Sequence, residues 1–291
     1  MANQSVFTLV NQQTGNLAFK IFSFDDNRHF DHLQRHNYYS LIWIKTGEGK
    51  LKADFSEYAF TGNTLFAFSL YQPFMLSSEN IKGVAIQFHP DFFCIHKHQN
   101  EVACNGVLFN NIYQPPFTLI DEISSLAFES LYEQIQNEMQ NQALAQYELL
   151  VSYLKIFLIK ASRLKAEQLP NFPENISPKE PFILQNLKNS IESNFKIKHS
   201  ASDYAEDLNI SAKALAKITK TYFNKTLTDL IAERIVIEAK RELYLTNKTV
   251  KEIAFELGYE DEYYFSRFFK NNAEVSPQLF RETVGYGRSE N

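Results

Sequence analysis

Glu262, Tyr263, Ser266, Arg267 and Lys270 are hydrogen-bonding side chains at spacings that a helix gathers on one side. Their chemistry suits base edges and phosphates. A guanidinium can hold guanine O6 and N7 as a bidentate pair worth about 1–3 kcal/mol of discrimination, and a carboxylate can accept from cytosine N4. An ammonium can neutralise a phosphate. Phe265, Phe268 and Phe269 recur at i, i+3, i+4 and take the opposite side, as the apolar face of a small-domain helix does. A solvated surface helix laced with ion pairs carries similar residues, so the elements that position these groups decide the reading.

The helix that carries them opens at Asp261, a capping residue, and a shorter helix precedes it. Thr249 with Glu252 three residues on is a capping box, Ile253, Ala254 and Leu257 form an apolar face, and Gly258 supplies the turn that ends it. Two helices joined this tightly form a helix-turn-helix. The arrangement recurs: Ser200 to Lys220 matches Thr249 to Lys270, with Ala205 for Ala254, Leu208 for Leu257, Asn209 for Gly258, Ser211 for Asp261, Leu215 for Phe265, Lys217 for Arg267 and Lys220 for Lys270. Asn tolerates the left-handed conformation better than most residues, so Asn209 can stand where glycine stands later. Between the two copies, Thr228 to Thr246 predicts a long helix with Leu230, Ile231, Ile235, Ala239 and Leu243 on one side. Its length of roughly 25–30 Å is close to the ~34 Å between successive major-groove openings on one face of B-DNA.

These residues resemble the DNA-binding domain of AraC/XylS-type transcription regulators, over about residues 190–281. The family's signature stands here as Ala254, Gly258, Tyr259, Asp261, Tyr264, Phe265, Arg267, Phe269, Lys270, Ser276, Pro277, Phe280 and Arg281. The resemblance implies that residues 211–222 and 261–271 are recognition helices. It places Lys213, Ala216 and Lys217 of the first, and Glu262, Tyr263, Ser266 and Arg267 of the second, at the family's base-reading positions, while Lys220 and Lys270 add charge to the same faces. Ala216 offers only a methyl contact, for instance to thymine. One departure stands out: members usually place a glycine two residues before the Ser-Pro, and this chain has Glu274 there. The turn after the second recognition helix is therefore expected to be strained or differently shaped.

At 291 residues the chain is long enough for two domains. Its net charge of −5 counts against a nucleic-acid binder at first. Residues 1–180 hold 13 Lys+Arg against 18 Asp+Glu, whereas residues 181–291 hold 16 of each, so only the distribution of charge can favour DNA. Two cysteines, a polar start without a basic flank, and an apolar stretch at 149–159 too short to span a bilayer point to a cytoplasmic, nucleoid-associated protein without a membrane partner.

Short apolar-aromatic runs at 17–24, 38–44, 50–55, 65–68 and 84–88, separated by turn residues, predict an antiparallel barrel or double sheet. In this context the first half resembles the cupin-like sensing domain that precedes many AraC-type DNA-binding domains. The expected fold class is α+β: an antiparallel, cupin-like barrel with helices at about 121–165 (residues 1–165), a proline-rich linker at 166–181, and an all-α double helix-turn-helix at 182–291. Tyr38, Trp43, Phe66, Phe68, Tyr71 and Phe88 are candidates to line an effector cavity. Ala143, Tyr147, Leu150, Leu154, Phe157, Ala161 and Leu164 follow a 4,3 spacing that predicts a dimerisation seam, with packing on the barrel as the other reading.

His29, His32 and His36 lack the spacing and the partnering Glu of a cupin metal site, while Cys94, His96, His98 and Cys104 have metal-ligand chemistry on a strand or loop. No triad or paired carboxylates offer catalytic machinery, so the reading calls for no cofactor, no metal and no enzyme. The expectation is an effector-responsive regulator that binds double-stranded DNA as a homodimer and contacts RNA polymerase if it activates. The rival is a metal-dependent cupin enzyme, or a ligand-binding protein, with an appended helical domain.

Overall fold

β-branched and aromatic residues in short runs between turns form antiparallel strands in the computed structural model, which describes residues 6–11, 15–54, 56–141, 143–168 and 182–284. The chain divides into two units, Met1–Asn111 with Pro115–Leu169, and Ile112–Gln114 with Pro170–Asn291. Most of the expected linker, 169–181, lies outside the described residues, and Ala166, Glu167 and Gln168 belong to the preceding helix.

In the first unit the strands are β1 (Val6–Val10), β2 (Leu17–Phe24), β3 (Tyr39–Thr46), β4 (Gly49–Ala53), β5 (Ser56–Phe60), β6 (Thr64–Phe68), β7 (Phe74–Ser77), β8 (Lys82–Phe88) and β9 (Phe117–Leu119). They make a six-stranded sheet of order β1-β2-β8-β3-β6-β9 and a three-stranded sheet of order β5-β4-β7. The expected barrel is thus two sheets rather than one closed cylinder. The chain leaves one sheet for the other after β3, through Gly47 at φ +104°, where a side chain's first carbon would lie 2.0 Å from the Asn80 carbonyl oxygen. That crossing accepts only glycine.

One face of the larger sheet turns Phe22, Phe24, Ile42, Ile44, Phe66 and Phe68 into a core shared with Leu51, Phe74 and Leu76 of the smaller one. Its other face is covered by helices: α1 (Gln99–Val102), α2 (Glu122–Gln140) and α3 (Gln146–Gln168). Here Trp43 meets Phe128 at 6.2 Å, and Phe128 meets Phe157 at 4.6 Å. Side chains alternate along a strand, so Trp43 cannot share the face of Ile42 and Ile44. Phe88 likewise packs on Phe93 and Phe109. Trp43 and Phe88 therefore do not line the space between the sheets, while Phe66 and Phe68 do. Tyr38 stacks on His36 at 4.5 Å, and the Tyr71 N–H donates to the His36 carbonyl at 2.7 Å.

The seam residues Leu150, Leu154, Phe157, Ala161 and Leu164 are buried within the chain itself. Each large one contributes about 1.5–3 kcal/mol by leaving water, so this part of the stripe serves the unit's own core. Tyr147 stays exposed, although its hydroxyl donates to the Phe92 carbonyl at 2.8 Å. Cys94 and Cys104 are buried free thiols, and His98 bonds Glu101 at 2.8 Å while stacking on Phe93. Among the described residues no group of three or more His, Cys, Asp or Glu could hold a metal ion. No described helix is long and apolar enough to cross a membrane.

The second unit contains α4 (Phe182–Asn194), α5 (Ala201–Asp207), α6 (Ala212–Phe223), α7 (Leu227–Leu245), α8 (Val250–Glu256), α9 (Glu262–Ala273) and α10 (Pro277–Val284). The long helix α7 is its spine. Leu230, Ile231, Ile235, Ala239 and Leu243 are all buried, and α4, α6, α8, α9 and α10 pack on it.

Candidate nucleic-acid interface

Each of the two expected recognition helices, α6 and α9, is placed by local chemistry that occurs twice. Ser200 caps α5 in a capping box with Asp203, and Thr249 caps α8 in one with Glu252. The hydrogen bonds that Glu252 accepts from Thr249 hold its carboxyl below the usual range. Asn209 at φ +52° and Gly258 at φ +81° make the turns. At Gly258 a side chain's first carbon would sit 2.1 Å from the Lys196 carbonyl oxygen, so a close approach adds to the conformational demand. Ser211 then caps α6, accepting from Ala214 N–H at 3.2 Å, and Asp261 caps α9, accepting from Tyr264 N–H at 2.5 Å.

The equivalence continues past the recognition helices, beyond what the sequence comparison traced. Leu215, Thr219 and Phe223 of α6 are buried, as are Phe265, Phe269 and Ala273 of α9. Asn224 (φ +55°) and Glu274 (φ +60°) end the two helices in the left-handed conformation. Thr226 then caps α7, and Ser276 accepts from Leu279 N–H at 3.1 Å at the start of α10. The same 50-residue offset carried down the chain marks these pairs in the sequence. Glu274 thus keeps the turn that a glycine would make and holds it in a conformation unfavourable for its own side chain.

These scaffolds leave one side of each recognition helix open. Lys213, Ala216, Lys217 and Lys220 are exposed on α6, and Tyr263, Arg267 and Lys270 on α9, with Glu262 and Ser266 partly so. Tyr264, absent from the expected base readers, is exposed beside Tyr263. Phe268 is only partly buried, lying 5.3 Å from Tyr259.

The zero net charge of residues 181–291 conceals an uneven pairing. Arg234 bonds Glu192 at 2.7 Å and Glu238 at 3.2 Å, and Arg241 bonds Glu238 at 2.7 Å. Lys248 reaches Glu242 at 2.8 Å and Glu256 at 2.6 Å, which raises its pKa, while Lys198 pairs with Asp207 and Lys225 with Glu233. Burial acts to raise the Glu238 pKa, but Arg234 and Arg241 more than offset it and leave it lowered. These acids lie on α4, α5, α7 and α8. Among the described residues no ion pair includes Lys213, Lys217, Arg267 or Lys270, so α6 and α9 both keep uncompensated positive charge. Lys220 donates to the Asn224 carbonyl at 3.2 Å, bracing its own helix end. Arg281 fastens the far end of α7, donating to the Leu243 carbonyl at 3.2 Å and the Lys248 carbonyl at 2.6 Å.

Residues 204–283 match the helix-turn-helix domain family. Over 95 residues the chain is 30% identical to the raffinose operon transcriptional regulatory protein RafR of Pediococcus pentosaceus, a match covering 33% of this chain and 34% of that one. It is 24% identical over 258 residues to the uncharacterized HTH-type transcriptional regulator YfiF of Bacillus subtilis strain 168, covering 86% of this chain and 78% of the relative. Among solved structures, ToxT from Vibrio cholerae O395 aligns over 97% of each chain at 17% identity with a TM-score of 0.40.

Proposed function

We propose that this chain, whose second unit is an AraC-type helix-turn-helix domain, is a sequence-specific DNA-binding transcription regulator that sets α6 and α9 in successive major grooves. The observation that carries the reading is the twice-built scaffold on α7, which leaves unpaired cations on the matching face of both recognition helices. As 19 residues, α7 is about 28 Å long, close to the ~34 Å groove repeat. Arg267 is assigned to guanine, Lys213 and Lys217 to guanine or phosphate, Ala216 to a thymine methyl, and Tyr263, Ser266 and Glu262 to neighbouring base edges. Lys220 and Lys270 are assigned to phosphates, with marked salt sensitivity as the consequence.

The first unit is the sensing part, with an effector held between its sheets where Phe66 and Phe68 point. Binding there would shift the equilibrium between arrangements of the DNA-binding units by its differential affinity for them. The protein acts in the cytoplasm, has no catalytic role, and binds paired half-sites as a homodimer. If it activates, as RhaS of Mannheimia succiniciproducens is named to do, RNA polymerase is its further partner.

Selection of bound sequences from random duplex DNA tests this with wild type and Arg267→Ala side by side. The expected site has two blocks about one helical turn apart, one of which loses a guanine preference in the variant. Enrichment that is identical for both proteins rejects the assignment of Arg267. Sedimentation of the full chain on the selected DNA tests the dimer.

A further inference from the structure

On the core-facing side of the larger sheet, strand register places three polar side chains side by side. Lys20 of β2 lies opposite Gln87 of β8, Gln87 lies opposite Ser40 of β3, and Ser40 lies opposite Phe68 of β6. Facing partners stand about 4.5–5.5 Å apart at Cβ, so these residues form one continuous row across four strands. The next row inward, Phe22, Ala85, Ile42 and Phe66, is wholly apolar.

No hydrogen bond or ion pair among the described residues joins the side chains of this row to the rest of the unit. Gln87 is 3% exposed, and its Oε1 has no hydrogen-bond partner among the described residues. Ser40 is 1% exposed beside it. The Lys20 ammonium is half-buried 4.7 Å over the Phe22 ring, and burial lowers its pKa with no carboxylate to offset the loss of water. Nearby, His36 stacks on Tyr38, and burial together with the charges of Lys20 and His32 lowers its pKa to about 4, so it adds no cation at neutral pH. Interiors seldom leave such groups unmatched, because each costs stability unless something bonds it.

We propose that this row is the polar end of a ligand site between the sheets, taking a small organic acid that carries a hydroxyl group on an aromatic or aliphatic body. The carboxylate meets Lys20, the hydroxyl donates to Gln87 Oε1 and accepts from Ser40, and the body lies along Phe22, Phe68 and Phe74. A neutral sugar leaves the ammonium without a counter-charge, and a dianionic phosphate brings a second charge that one ammonium does not match. The proposal rests on the reading of the first unit as the sensing part, and it names the chemistry of that unit's effector.

The test uses the full chain and 3-phenyllactate, compared with its methyl ester and with 3-phenylpropanoate, in calorimetry and in fluorescence of the single tryptophan, Trp43. The ester, which lacks the charge, and 3-phenylpropanoate, which lacks the hydroxyl, are each expected to bind about tenfold more weakly or worse. Lys20→Met should erase the preference for acid over ester, and Gln87→Met the preference for the hydroxyl. Both variants should unfold no more easily than wild type, since each removes an unmatched polar group. A Gln87→Met protein that is clearly less stable assigns the amide a structural duty and overturns the proposal. So does acid binding that survives Lys20→Met, or no binding by phenyllactate or any hydroxy acid of about two to ten carbons. Duplex selection on the same preparations separates the two readings: specific DNA binding without acid binding sinks only this proposal, and acid binding without DNA binding sinks only the regulator.

Discussion

Lys165 offers a quantitative test of the first unit. It is 1% exposed, its ammonium donates to the Pro115 carbonyl at 2.9 Å, and burial lowers its pKa from 10.5 to about 7. A group that binds its proton less tightly when folded makes the unfolded state the better proton binder between those two values. Stability then rises with pH across the window from about 7 to 10.5 and is lowest at and below 7. At 1.36 kcal/mol per unit, the rise between pH 7 and 9 is about 2 kcal/mol from this residue alone. Lys165→Met removes the titration and leaves the Pro115 carbonyl without its donor, at a cost of about 1 kcal/mol. The variant should therefore be more stable than wild type by about 2–3 kcal/mol at pH 7, and the gain should vanish or reverse near pH 10. Urea unfolding followed by Trp43 fluorescence reports on this unit, because Trp43 is the chain's single tryptophan. Other titrating groups cancel in the difference between the two proteins. Parallel pH profiles for wild type and variant between pH 7 and 9.5 would refute the argument.

Three further outcomes are expected. Glu274→Gly relieves the left-handed conformation that ends α9 and should stabilise the second unit by about 1 kcal/mol, read as slower amide exchange in α9 and α10; faster exchange would show that the glutamate side chain contributes more than its backbone costs. Gly258→Ala meets both the +81° φ and the Lys196 carbonyl, so it should destabilise by several kcal/mol, on the order of 3 or more, and abolish specific DNA binding; an unchanged helical circular dichroism melt would contradict this. Leu154→Glu should unfold the first unit rather than merely separate a dimer, since it buries a carboxylate without a partner, and a folded monomer with native Trp43 emission would restore the seam to a partner surface.

How much was legible follows from the range of the physics. Caps, turn conformations and apolar faces act over three or four residues, so Thr249 with Glu252, Asp261, Gly258 and the helix between the two repeats could be read from the chain. The repeat itself multiplied that signal. The missed pairs, Asn224 with Glu274 and Thr226 with Ser276, needed only the same offset carried further. The shortest strands, β7 and β9, carry too few residues for a two-residue period to stand out.

The sequence by itself determined the repeated part of the second unit: where α5 to α9 begin, which residues of α5 to α9 form the apolar faces, and which cations recur. Only the tertiary structure decided what covers an apolar face. Because Tyr39–Ile44 is buried on both sides, alternation could not say that Trp43 belongs to the helices and Ile42 to the core between the sheets. The spacing of α3 marked a stripe but not its partner, which proved to be the chain itself. Charge balance over residues 181–291 reads as zero until the α7 arginines are seen to occupy the acids. Lys20, Ser40 and Gln87 become neighbours only through strand register, a property set by pairing between distant segments rather than by local residue preferences.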